Sequence, residues 1–242
     1  MQTGGLLKLT IATLVGVAVL IGLGFWQLQR MEWKEGVIAR IEARTERRPA
    51  TLERALVLVS ERPNASYFPV RVEGLFHHDR ERYLYALSLT GEPGWHVIVP
   101  LETVSGDVIL VDRGFVPEAL RDPATRPDGQ IKEVVEVTGL IRTPEKPSLL
   151  IPDNDPEANQ WFSRDLSAMT RSMFPGGTVQ VAPFFLEAKE SDVPGGWPRG
   201  GETRLTLTNN HLQYALTWFC LAIALVAIYA AYMWDAYRGP RS

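Results

Sequence analysis

The segment Asn209-Asn210-His211-Leu212-Gln213-Tyr214-Ala215-Leu216-Thr217-Trp218-Phe219 carries a histidine out of a polar stretch and straight into an apolar one. No Asp, Glu, Lys or Arg occurs from Leu205 to Trp234. In a soluble protein this would read as the mouth of a core helix. The run is long enough, however, to cross a hydrocarbon core of roughly 30 Å. Aromatic residues flank the span Tyr214 to Trp234 at both ends, as they do at membrane interfaces. His211 is therefore expected at a membrane surface, and every other segment is placed by asking on which side of it that segment lies.

A second uncharged run, Leu9 to Leu28, lies near the other end of the chain, with Lys8 before it. It is long for the apolar region of a secretory signal and no clear small-x-small cleavage site follows it, and Phe25-Trp26-Gln27 resembles an interfacial anchor; the reading is a retained transmembrane helix. Ala12 and Gly16, and Ala18 and Gly22, stand four residues apart. That spacing suits close approach of a partner helix, although small residues are common in such spans in any case. Beyond Trp26 neither Pro nor a Gly pair intervenes before Arg48-Pro49. Val37, Ile38 and Ile41 form an apolar stripe among charged residues, which predicts a helical stalk ended by Pro49.

The 242 residues leave room for one sizeable domain besides the anchors. From about Ser66 the pattern turns to period two: Phe68, Val70, Val72, Gly74 and Phe76 alternate with Pro69, Arg71 and Glu73. Tyr83 to Leu89, Trp95 to Leu101, Val108 to Asp112, Val134 to Arg142, Val179 to Leu186 and Thr203 to Thr208 are further strand candidates, separated by turn residues. They predict an antiparallel sheet or partly closed barrel, interrupted by one helix over Glu157 to Met173. Pro117 to Gln130, Thr143 to Pro156 and Lys189 to Gly201 read as loops.

The expected fold class is α+β, with two transmembrane helices (N- and C-terminal) flanking one extracytoplasmic, mainly antiparallel β domain with a helical stalk and one helical insertion. Residues 1–8 form a tail, 9–28 the first span, 29–48 the stalk, 49–208 the β-rich domain, 209–234 the interfacial segment and second span, and 235–242 a second tail. Two spans place both tails on one side. Lys8, Arg238 and Arg241 in the tails compete with Arg30, Lys34, Arg40 and Arg44 beside the first span; because large domains translocate largely regardless of charge, the tails are assigned to the cytoplasm.

A net charge of −3 offers no basic footprint, so nucleic acid is not an expected partner. One cysteine, Cys220, excludes an internal disulfide, a Cys-x-x-Cys pair and a cysteine zinc cluster. There is no Gly-x-Ser-x-Gly, His-Glu-x-x-His or phosphate-binding Gly loop, and no nucleophile can be paired with a base. The chain is not expected to be an enzyme. His77 and His78 are adjacent on a predicted turn and suit solvent better than a metal; His96 suits a hydrogen bond to a loop. In a helix beginning near Asn209, His211, Tyr214, Ala215, Trp218 and Ala222 share a face. One reading makes His211 an axial iron ligand above a groove of small and aromatic residues, with Arg30 or Arg204 available to haem propionates. The other makes it an interfacial histidine bonded to headgroups or to Asn210.

Several segments resemble the surfeit locus protein one family, membrane factors for the assembly of cytochrome c oxidase. They are Gly24-Phe25-Trp26-Gln27 with Arg30 and Trp33-Lys34; Tyr67 to Gly74; Gly94 and Pro100; Leu110 to Pro117; Asn159-Gln160-Trp161; and Asn210 to Ala215 with Trp218. Phe115 departs from the Trp more usual in the family, though an aromatic remains. The resemblance implies binding of haem a, transiently, at the outer membrane interface and help with its insertion into oxidase subunit I. His211 would be the iron contact, with Trp26, Arg30, Tyr214 and Trp218 beside the haem. It implies as partners oxidase subunit I, the haem a synthesis machinery and the lipid bilayer, in a bacterial plasma membrane or mitochondrial inner membrane. Arg113 matches a family position, yet a salt bridge anchoring the strand end explains it equally. The alternative function is a cofactor-free scaffold that stabilises an immature oxidase subunit through the extracytoplasmic domain.

Overall fold

A computed structural model describes residues 3–62, 64–145, 148, 151–177, 179–202 and 208–238. In chain order the elements are α1 (Thr3–Thr45), α2 (Leu52–Glu61), β1 (Pro69–Phe76), β2 (Arg82–Leu87), β3 (Pro93–Thr103), β4 (Val108–Pro117), β5 (Val135–Arg142), β6 (Gln160–Trp161), α3 (Leu166–Met173), β7 (Val181–Ala188) and α4 (His211–Arg238). They divide into two compact units, Met1–Arg40 with Thr206–Ser242, and Ile41–Leu205.

The first unit is a helix pair. α1 and α4 are each long and apolar enough to cross a membrane, and only 6% of each apolar window is buried, unlike a core helix. Span and stalk are one uninterrupted helix through Thr45, because nothing before Pro49 breaks the ladder. Covered positions recur along α1 at Thr10, Thr13, Val17, Leu20, Gly24, Gln27, Met31 and Lys34, with Gly16 and Leu23 beside them, and along α4 at His211, Ala215, Trp218, Ala222, Leu225 and Tyr229, with Phe219 beside them. The alternating three- and four-residue steps are the seam of a coiled coil. Gly16 faces Leu225, but Gly22 meets nothing, and the closest approach is at Gly24, against the Phe219 ring. Of the two expected small-residue pairs, only the Gly16 end lies on the seam.

The second unit is the β domain. Its sheet runs β1-β5-β7-β4-β3-β2-β6, and an added β1–β3 pairing closes five strands into a barrel-like ring from which β2 and β6 extend. Pairing is antiparallel except between β4 and β7 and between β2 and β6. β1 alternates buried and exposed residues, whereas β3 and β4 are buried almost throughout. The cause is double coverage. One face of β3, β4 and β7 contributes Val97, Val99, Val111 and Phe184 to the main core, against which Leu52 and Leu56 of α2 pack. The other contributes Ile98, Leu110 and Phe185 to a second core with Trp161 and the α3 residues Met169 and Met173.

Two elements differ from expectation. α2 occupies a stretch with no predicted element; Thr51 caps it by accepting from the Arg54 amide. The helix expected over Glu157 to Met173 is confined to α3, because Asp155 accepts the amides of Glu157 and Ala158 in a turn, and Asn159 has φ 51°. The candidate strand Thr203 to Thr208 lies, except for Thr208, outside the described residues, as does Arg204.

Candidate functional site

His211 is the first residue of α4, and α1 holds it in place. Its Nδ1 lies 2.7 Å from Gln27 Oε1. An amide oxygen can only accept, so Nδ1 carries the hydrogen, and in the neutral ring Nε2 keeps the lone pair. The polar segment before it is tied to the same helix: Asn209 Nδ2 donates to the Met31 carbonyl at 3.4 Å, and Lys34 Nζ donates to the Thr208 carbonyl. Gln27, Met31 and Lys34 are successive seam positions of α1. The strap thus fixes both the ring and the backbone leading into it.

Below the strap the seam is closed. Ala215 is fully buried and Ala222 nearly so, in line with the contacts of Phe219 on Gly24 and Phe25 and the 2.6 Å hydrogen bond between Thr10 Oγ1 and the Tyr229 hydroxyl. The groove of small residues expected under His211 is therefore occupied by α1. Tyr214 and Trp26 remain exposed and Trp218 half-buried. The Arg30 guanidinium lies 4.0 Å from the centroid of the Trp33 ring. Of the expected site residues, His211 is held by a seam residue, while Trp26, Arg30, Tyr214 and Trp218 supply exposed or half-exposed aromatic and cationic surface on the two helices. Gln27, Asn209 and Lys34 were not expected as its supports. Their signal was the continuation of the apolar seam into polar residues at the same spacing.

The other histidines are committed elsewhere. His77 Nε2 pairs with Glu102 at 2.8 Å, and His78 Nε2 lies 2.9 Å from the Ile131 carbonyl. His96 bonds not a loop but Asp112 on the neighbouring strand, 2.9 Å away. Among the described residues no three His, Cys, Asp or Glu side chains are grouped to hold a metal ion.

Two buried ionic clusters organise the β domain. Asp112 accepts from His96 and, at 2.9 Å, from Arg164. Burial would raise its pKa, but these two cations hold it far below the usual carboxylate range; burial would lower His96, and Asp112 overrides that and raises it. Glu81 receives both terminal nitrogens of Arg126, the Gln130 amide and the Tyr83 hydroxyl. Burial opposes ionisation there as well, yet His78 and Arg126 bring Glu81 down to about 2. Arg113 departs from the expected salt bridge. It has no carboxylate partner among the described residues, and its guanidinium lies over Phe76, 4.8 Å from the ring centroid.

Residues 14–223 match the SURF1 family. The chain is similar to Surfeit locus protein 1 of Homo sapiens, 38% identical over 230 residues covering 88% of this chain and 72% of that protein. The Mus musculus protein of the same name is 37% identical, over 90% of this chain and 71% of its own length. A SURF1-like protein of Monosiga brevicollis is 34% identical, over 87% and 82%.

Proposed function

We propose that this chain, which belongs to the SURF1 family, is a non-enzymatic membrane assembly factor for cytochrome c oxidase that holds haem a through His211 during maturation of oxidase subunit I. The observation that carries the reading is the Gln27–His211 hydrogen bond, because a histidine that binds a metal through one ring nitrogen usually donates from the other to a fixed acceptor. The donor set fits the group. His211 would supply a nitrogen ligand, and with Ala215 and Ala222 covered the aromatic side chains left open to a macrocycle on the two helices are Tyr214, Trp218 and Trp26. Arg30 supplies the cation for a propionate. Bound haem a would contribute an iron centre awaiting transfer; the chain's own part is to fix one ring, exclude competing tautomers and present aromatic surface. The setting is a bacterial plasma or mitochondrial inner membrane, with both tails in the cytoplasm or matrix and the β domain outside it.

The test compares oxidase made in cells lacking the chain, cells restored with it and cells restored with His211→Ala. The haem a content of the oxidase should recover with the native chain and stay low with the variant at equal protein level. Full recovery with the variant contradicts haem handling at His211. A cofactor-free scaffold is the second reading, favoured by the exposed side chains of Tyr85, Leu87 and Leu89 on and after β2. It requires cross-linking to the immature subunit to persist in cells that make no haem a; its loss there counts against the scaffold.

A further inference from the structure

The two clusters of the β domain do not account for every buried charge. Arg113 is only 5% exposed, yet among the described residues its Nη1 has no hydrogen-bond partner and no carboxylate pairs with its guanidinium. The neighbouring acid is already taken, since Glu81 is filled by Arg126, Gln130 and Tyr83. Two buried guanidiniums therefore stand near one buried carboxylate, and Arg113 is the surplus cation; burial pushes it down to about 10. Phe76 covers one face of it. Beyond it opens a cleft of about 370 Å³ that Arg113 lines together with Val135, Val137, Thr138 and Ala188. Lys189, at the same wall, points its ammonium to the Thr45 carbonyl 3.4 Å away.

We propose that this cleft is a binding site for a single carboxylate, held by the unpaired guanidinium of Arg113. A planar carboxylate matches the fork of guanidinium donors. The apolar walls suit a hydrocarbon or aromatic body attached to it. Glu136, Glu190 and Asp192 also line the cleft, and they disfavour phosphates and other polyanions. Two sources present this chemistry, a free carboxylic acid and the side chain of an acidic residue in a bound polypeptide.

The experiment uses the full chain in detergent with arginines labelled at Nε, titrated with sodium benzoate, with acetyl-glutamate methylamide, and with chloride or phosphate at equal ionic strength. One arginine resonance should shift saturably with a carboxylate and not with chloride or phosphate, and Arg113→Lys should remove that resonance. A stronger response to benzoate identifies a free acid, and a stronger response to the capped glutamate identifies a polypeptide. S191W, on the exposed part of the lining, should block the response while leaving Arg113 in place, so the result does not depend on the folding of the lysine variant. No saturable shift, a shift shared with chloride and phosphate, or an unchanged response in S191W overturns the proposal.

Discussion

Gln27 acts on His211 through one hydrogen bond, and its removal should be felt at the opposite nitrogen. Replacing Gln27 by Leu removes the acceptor, and losing the group that orients a metal-binding histidine typically costs about 10–100-fold in metal affinity. We expect that loss when purified Gln27→Leu protein is titrated with haem, with the helix pair still folded; equal affinity would show that the tautomer does not matter. Glu81 ties the stability of the β domain to pH. Its carboxyl is lowered from 4.5 to about 2 in the folded chain. A depressed acid contributes stability that is present above its unfolded pKa and lost as pH falls through the folded one. The window is therefore about pH 4.5 to 2, and the shift corresponds to about 3 kcal/mol. Denaturant titrations across that window should show the loss in the native chain and a slope smaller by about one proton in Glu81→Gln. That variant should also be less stable at pH 7 by about 3–5 kcal/mol, because Arg126 stays buried.

The pairing of α1 with α4 depends on which glycines lie on the seam. A Cβ at Gly24 would strike the Phe219 ring, whereas at Gly22 it would meet nothing within 4 Å. Gly24→Leu should destabilise the pair by about 1–3 kcal/mol, and Gly22→Leu should leave it unchanged or improve it through helix propensity. Thermal unfolding of the purified variants in detergent separates the two, and equal midpoints would contradict the seam. In the β domain, Asp112 stitches β4 to β3 through His96 and to the segment before α3 through Arg164. Asp112→Ala leaves buried His96 without its acceptor and Arg164 with Glu145 as its remaining carboxylate, and should cost about 3–5 kcal/mol in urea unfolding.

Across the whole molecule, legibility followed the range of the forces. Both apolar helices could be read because a span needs only an unbroken uncharged run. β1 was plain from its period of two, since its outer face meets solvent, whereas the doubly covered β4 extends through Pro117, past the Asp112 at which the apolar run stops. α2 is too short to show as a long periodic run, although Thr51 and the spacing of Leu52, Ala55, Leu56 and Val59 carry its signal, while a helix reaching back to Glu157 conflicts with the turn chemistry of Asp155 and Asn159. His211 was singled out, but its partner is 184 positions away and no local pattern pairs the two. The same holds for Arg164 and Asp112, 52 residues apart. Two spans put both ends of the chain on one side, so reporter fusions at Met1 and Ser242 should respond alike and oppositely to one inserted in the loop after β5. Haem handling at His211 is read in the absorption spectrum of the protein purified from cells that make haem a. The native chain should show a haem a spectrum that is lost or altered in His211→Ala; an absence of bound haem in the native chain, or an identical spectrum and affinity in the variant, rules out haem held by His211.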